Sequence, residues 1–363
     1  MEPDAARMGV YNAIQPERVT HGEGCVRGLP GAAARCGARR AVVITGPTVA
    51  ERTGLLWYVE QLLGPVHAGS YIGVRPHTPE ETVEEAAGFA VEAESDCLVS
   101  LGGGSAIDTA KAVAHRLAAG RDAPMPHVAL PTTLSAAEFT YYAGVTGADR
   151  VKRRIAGPTL VPREVFLDPT LTLETPATLW LSSGVKALDH ALESLLGPSH
   201  HPVTDALALE AARTLFAVLP ACADDPTAAE SRGRAQVAAW MSLFSPATSR
   251  GGLSHALGHQ LGARGVPHGV TSCVTLPAVL CFVEPVTGER QREIASALGI
   301  DGTLADAVAG LVRRLGLPGR LRETTLTRAQ LAEVAATAEE EARAVSPVPV
   351  DAGSLAELLD GMW

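Results

Sequence analysis

The chain has 363 residues, 46% hydrophobic and 19% charged, with 30 Lys plus Arg against 40 Asp plus Glu. A length and composition of this kind exclude a disordered chain and fit two globular domains. The formal net charge of -10 disfavours non-specific nucleic-acid binding, and no basic run offsets it.

The six cysteines, at 25, 36, 97, 222, 273 and 281, form no C-x-x-C pair and read as thiols in a reducing compartment. The opening MEPDAARMG is acidic and lacks the apolar core of a signal peptide. The most apolar stretch, Thr271 to Val283, falls short of the about 20 residues that span a bilayer. A soluble cytoplasmic protein is expected, with neither nucleic acid nor membrane as partner.

In chain order, Ala41 to Thr45 is β-branched, apolar and bounded by Arg39-Arg40 and Gly46-Pro47, which predicts a buried strand. A helix is expected around 49–63, a strand over 66–72, and a helix over 79–94 with Thr78 as its N-cap. Cys97 to Leu101 is the next strand. It runs into Gly102-Gly103-Gly104-Ser105 and a helix from Ala106 to about Leu117. His127 to Leu130 is a short strand ended by Pro131-Thr132-Thr133, and Phe139 to Pro162 has the mixed character of a hairpin. Strand–helix alternation of this kind implies a parallel sheet. After Asp168-Pro169 strand signals vanish. Helical spacing covers 177–196, 203–219, 227–244, 251–263, 270–284, 288–298, 303–315, 327–344 and 353–361. The expected architecture is an α/β nucleotide-binding domain over 1–168 and an all-α catalytic domain over 169–363, with a cleft between them as the default site.

The Gly102–Ser105 turn joins a strand to a helix. Glycines let backbone approach an anion closely, and a helix N-terminus offers free N–H groups and a positive dipole end, which suits a phosphate or diphosphate. A tight turn with no ligand has the same appearance. The turn is neither G-x-G-x-x-G nor a Walker A loop. His255 and His259 are four apart and share one helix face, and Pro267-His268-Gly269 opens the next helix. Lys186 and His190 are likewise four apart. A single histidine of this set would more often be an ordinary core or surface residue; the joint spacing and the Gly/Pro punctuation point to a site. His200-His201, between Gly197-Pro198 and Pro202, reads as exposed loop.

Gly102–Ser105 with Asp108 and Lys111, Pro131-Thr132-Thr133, the helix around His190, then His255, His259 and Pro267-His268-Gly269 follow one another in an order that resembles the iron-containing alcohol dehydrogenase family. The resemblance runs from about Arg18 to about Leu298. The segment Pro131 to Thr140 is similar to the maleylacetate reductase side of that family, whereas the mainstream dehydrogenases carry a longer Gly-Thr-Gly-Ser-Glu loop. The resemblance implies a dehydroquinate synthase-like architecture and a nicotinamide cofactor, NAD or NADP. Gly102, Gly103, Gly104 and Ser105 would hold its phosphates, with Asp108 in the same motif. Thr132 and Thr133 would line it, and Lys152 would lie near the ribose. In metal-containing members an Asp and a His four apart on one helix, with two further His, hold the ion. The matching positions are Lys186, His190, His255 and His268. His259 matches a proton-relay histidine, and a homodimer is the usual assembly.

Position 186 departs from the pattern. A protonated ammonium cannot ligate a cation and repels one. Asp189 lies about 60° around the helix from Lys186 and is no substitute ligand. Three histidines alone can still bind zinc. The expectation is nonetheless a metal-independent enzyme, as maleylacetate reductases are. Lys186 then stands in for the lost charge, fills the old cavity, or acts as a Schiff-base nucleophile; the first reading is preferred. No carboxylate follows the first strand until Glu51, so NADP stays open beside NAD. The function read from the sequence is an NAD(P)H-dependent reductase of a small carbonyl or enoate, with His259 in proton transfer and His190, His255, His268 and Lys186 around the substrate. The rivals are a lyase or cyclase on the same scaffold and a non-catalytic cofactor-binding protein.

Overall fold

The computed structural model describes residues 11, 14–118, 124–148, 152–197, 201–244 and 251–363. They form two compact units that divide between Thr175 and Pro176.

The first unit contains β1 (Arg18–His21), α1 (Leu29–Arg35), β2 (Ala41–Ile44), α2 (Pro47–Arg52), α3 (Leu55–Leu63), β3 (His67–Tyr71), α4 (Glu80–Glu92), β4 (Cys97–Gly102), α5 (Gly104–Leu117), β5 (His127–Pro131), β6 (Tyr142–Thr146), β7 (Lys152–Ala156) and β8 (Glu164–Leu167). Six strands form one parallel sheet in the order β1-β8-β5-β4-β2-β3. Every residue of β2, β4 and β5 is buried, as expected for a parallel sheet covered on both faces. β3 lies on one side of β2 and β4 on the other. The strand order therefore reverses between β2 and β4, and ligands of open α/β sheets bind beyond the strand ends at such a point. The glycine turn closes β4 there, and Thr45 Oγ1 donates to Leu101 O across the two strand ends at 2.7 Å.

Several local expectations are corrected. The stretch 49–63 breaks into α2 and α3, because Thr53 is extended (φ −132°, ψ 162°). Thr78 does not cap α4: it sits at φ +51°, its hydroxyl donates to Ser105 O at 3.4 Å, and Pro79 takes the N-cap position. β1, β8 and α1 lie outside the predicted elements. β1 has no buried residue, and β8 is too short to show a period; its Glu164 is buried under Arg35. β6 and β7 form the antiparallel hairpin expected in 139–162. The sheet unit runs on past 168 to Thr175. Asp168 accepts from Gly24 N, Val26 N and Thr170 N, Leu171 joins the sheet's core, and Thr175 Oγ1 donates to Thr132 O at 2.9 Å.

The second unit is helical: α6 (Ala177–Leu196), α7 (Pro202–Asp224), α8 (Ala229–Ser242), α9 (Leu253–Ala263), α10 (His268–Leu298), α11 (Leu304–Arg314), α12 (Leu331–Val345) and α13 (Ala352–Gly361). The break expected near Pro285 does not occur. α10 continues through it because Val283 and Thr287, on either side, are buried, while Cys281, whose carbonyl loses its helical donor, lies on an exposed side where water can take it. α7 and α10 are long and apolar enough to cross a membrane by length and composition, and both pack against α6 within the unit. His201 caps α7 by accepting from Val203 N through Nδ1. All six cysteines are free thiols.

Candidate active site

In the sheet unit, β4 ends on Gly102 at φ +146°, a conformation open to glycine, and α5 begins at Gly104. A Cβ on Gly103 would stand 2.9 Å from Thr133 Cγ2, so close packing on Thr133 already requires glycine at this position. Thr132 N donates to Gly102 O at 3.0 Å and holds the segment after β5 against the turn. The hydroxyl of Ser105 accepts from His77 N. His77 and Thr78 both adopt positive φ, +63° and +51°, and are held by Thr146, whose Oγ1 donates to His77 O and whose N donates to Thr78 O. Gly103, the N-cap of α5, has no side chain to bond the first N–H groups of the helix. Thr133 Oγ1 is buried without a partner beside them. An open helix N-terminus with an orphaned hydroxyl next to it fits a phosphate-bearing cofactor.

Two motif residues serve this unit's own structure. Asp108 accepts from Gly144 N and ties α5 to β6. Lys111 is fully buried and donates to Ala137 O, Thr140 O, Thr140 Oγ1 and Tyr142 O. Burial pulls its pKa down to about 8 and pushes that of Glu138, buried nearby with Oε2 unpartnered, up to about 7. Lys152 begins β7, and its side chain lies outside the described residues.

In the helical unit, α6 is buried along nearly its whole length and still carries Lys186, Asp189, His190 and Glu193 on one side. Buried charges persist only when paired. Lys186 Nζ lies 3.3 Å from Asp189 Oδ2, with side-chain exposures of 3% and 0%. The same oxygen accepts from Ser272 Oγ at 2.6 Å and Ser254 Oγ at 3.1 Å, while Asp189 Oδ1 has no partner. Burial alone would raise the pKa of Asp189; Lys186, His255 and the Ser272 hydroxyl outweigh it and hold the carboxyl below its ordinary value. Glu193 differs. Its two oxygens accept from Ser254 N and Gly252 N, and Oε2 lies 2.7 Å from His255 Nδ1. Burial and the nearby Asp189 charge push it up to about 8, and burial with the Lys186 charge pulls His255 down to about 3. Both shifts act in the same sense, toward a proton on the carboxyl and a neutral imidazole across this contact.

The four histidines form a chain of rings. His190 stacks on His255 at 4.7 Å between centroids, His255 meets His259 edge-on at 6.2 Å, and His259 stacks on His268 at 6.0 Å. His190 is half-buried, with its Nδ1 atom buried and unpartnered, and desolvation holds it well below its usual value. His259 is the more open, 36% exposed, with Nδ1 2.8 Å from Glu341 Oε1 of α12. Asp189, Glu193 and His255 lie close enough to share a cation. Asp189 Oδ2 and both Glu193 oxygens, however, are already engaged by Lys186, two hydroxyls and two backbone N–H groups, which leaves Asp189 Oδ1 alone unpartnered.

Lys186, His190, His255, His259 and His268 thus all belong to one helical cluster, while Gly102–Ser105, Thr132 and Thr133 meet in the sheet unit. The sequence reading did not single out Glu193 or Glu341. Glu193 follows Lys186 by seven residues and His190 by three, so helical spacing carried a signal for it. Glu341 is 82 residues from its partner, and no local pattern marks it.

Residues 16–169 match the family model described as iron-containing alcohol dehydrogenase, and residues 180–361 match that of the Fe-containing alcohol dehydrogenase family, C-terminal. The chain is similar to maleylacetate reductase 2 of Cupriavidus pinatubonensis, 38% identical over 288 residues, 79% of this chain and 77% of that one. It is 32% identical over 330 residues to maleylacetate reductase of Sphingobium indicum, covering 91% and 90%. Among solved structures, the maleylacetate reductase of Rhizobium sp. strain MTP-10005 matches 98% of both chains with a TM-score of 0.85 at 30% identity.

Proposed function

Since the chain belongs to the iron-containing alcohol dehydrogenase family and is an NAD(P)-dependent oxidoreductase similar to maleylacetate reductases, we propose that it reduces a small unsaturated or carbonyl acid without a metal ion. The observation that carries this reading is the buried Lys186–Asp189 pair. An ammonium stands at the position where metal-holding relatives of the resemblance carry an aspartate, and its counter-ion is taken up by two hydroxyls as well. Such a donor set does not suit a divalent cation.

In this proposal the Gly102–Ser105 turn, Thr132 and Thr133 hold the cofactor, with Asp108 supporting the turn through β6. Lys152 lies near the ribose. The cofactor, when bound, supplies the hydride. Lys186 supplies positive charge toward the negative charge that develops on the substrate oxygen. His190, His255 and His268 wall the substrate, and burial keeps His190 and His255 neutral so that they bind by hydrogen bonds rather than charge. His259, the open imidazole, delivers the proton. Soluble cytoplasmic homodimers are the expected form, which light scattering and cell fractionation check.

The test is NADH and NADPH consumption with maleylacetate and a panel of oxo acids and aldehydes, with and without EDTA, alongside elemental analysis. Turnover that EDTA leaves unchanged, with far less than one iron or zinc per chain, is expected. One tightly held ion per chain, lost together with activity, would overturn metal independence. Substrate conversion without net cofactor oxidation would favour the lyase reading.

A further inference from the structure

α12 presents Glu333, Thr337 and Glu341, at intervals of four, to α9. Arg264, the C-cap of α9, donates through Nη2 to Thr337 Oγ1 at 3.2 Å and lies 3.1 Å from Glu333, and His259 Nδ1 lies 2.8 Å from Glu341 Oε1. One helix face is thus matched to the other in register, with the histidine at the last contact. An ionised carboxylate only accepts, so the proton of this bond belongs to Nδ1. The groups around the ring are Glu341 on α12, His255 on its own helix and His268 of α10.

We propose that Glu341 is a positioning residue for proton transfer: it accepts Nδ1–H of His259, fixes the imidazole in that tautomer and leaves Nε2 as the nitrogen that hands a proton to the reduced substrate. The inference rests on His259 as the proton donor. In the step, the doubly protonated ring releases the Nε2 proton to the substrate, and the Nε2–H bond breaks as the new substrate bond to hydrogen forms. The ring returns to the neutral Nδ1–H form on Glu341. Solvent then reprotonates Nε2, which the 36% exposure of the side chain allows. A carboxylate behind a histidine does the same work in other proton-transfer sites, where it holds both tautomer and ring orientation.

The experiment combines ring ¹⁵N NMR of His259 in the intact enzyme with steady-state kinetics and thermal unfolding of Glu341→Ala, Glu341→Gln and His259→Ala. The wild-type spectrum should show Nδ1 protonated and Nε2 free in the neutral ring. Glu341→Ala should mix the tautomers and lower kcat about 10-fold, a part of the 10²–10⁴ that a positioned acid supplies, with NADH affinity unchanged. Glu341→Gln, whose amide oxygen can accept the same N–H, should recover most of both. An unchanged tautomer in Glu341→Ala overturns the inference whatever the activity does, as does a lowered melting temperature with tautomer and kcat intact, since that describes a helix tie alone. A shifted tautomer with kcat intact in both Glu341→Ala and His259→Ala upholds the orientation by Glu341 and removes His259 from the chemistry, which overturns the proposed proton donor instead.

Discussion

Lys186 and Asp189 form a buried ion pair in the helical unit, and the role proposed for Lys186 can be tested on it. Lys186→Ala would leave a buried aspartate without its counter-ion, and breaking such a pair costs about 3–5 kcal/mol of stability. Activity of that variant alone therefore mixes a lost charge donor with a strained fold. Lys186→Met combined with Asp189→Asn removes both charges and should recover most of the stability in urea unfolding. If Lys186 supplies charge to the substrate, the double variant still loses about 100-fold in kcat/KM. Full activity would show that the lysine only fills space. Thr133 allows a cleaner test of the proposed cofactor-binding role of the Gly102–Ser105 turn than a glycine substitution, because a side chain at Gly103 would collide with Thr133 itself. Thr133→Val removes a buried hydroxyl that bonds nothing in the protein, so the melting temperature should hold or rise. The Kd for NADH, followed by fluorescence titration, should rise about 10-fold, the loss of one hydrogen bond to a ligand. An unchanged Kd takes Thr133 out of the cofactor site.

Among the elements, α6 shows how burial and charge coexist. Its side chains at 186, 189/190 and 193 recur at helical spacing, so one face gathers an ammonium, two carboxyls and an imidazole, and each meets a partner from α9 or α10 or from its own helix. The end of β8 is a second such joint. Asp168 accepts three backbone N–H bonds, two of them from the turn after β1, and so fastens the edge of the sheet to the segment that leaves it. Asp168→Ala would strand those donors in a buried place and should cost about 3 kcal/mol in urea unfolding. A loss below about 1 kcal/mol would mean that water replaces the carboxylate. The pairing of α9 with α12 matters in another way, because it carries His259 on one helix and the carboxylate that meets it on the other.

For the whole molecule, the Glu193–His255 pair predicts a pH dependence. Glu193 is held near 8 rather than 4.5, so from about pH 4.5 to about pH 8 the folded protein keeps a proton that the unfolded chain releases, and stability falls as pH rises through that window. His255, lowered from 6.5 to about 3, acts in the opposite sense: between those values the unfolded chain binds the extra proton, so stability rises with pH. The melting temperature of wild type minus that of Glu193→Gln isolates the first effect. It should decrease from about pH 4.5 to about pH 8 and stay level above. A flat difference would mean that Glu193 is ionised throughout.

Much of this was legible in the residues in order. β-branched runs bounded by Gly and Pro marked β2, β4 and β5, the triple glycine marked the open start of α5, and the four-residue spacing put His255 with His259 and Lys186 with His190. These features are local: strand alternation, helical pitch and turn chemistry act between near neighbours, and sequence spacing encodes them directly. The same holds for the missing carboxylate at 186, which is a matter of identity rather than conformation. The sequence could not decide where each charge finds its counterpart. β1 and β8 exist because neighbouring strands pair with them, not because four residues show a period. α10 survives Pro285 because packing on both sides outweighs one lost hydrogen bond. Glu193 meets His255, and Glu341 meets His259, across helices whose register is set by how their faces interlock. That register arises from many weak contacts summed over the packed helices, so only the tertiary structure decided which carboxyl meets which imidazole.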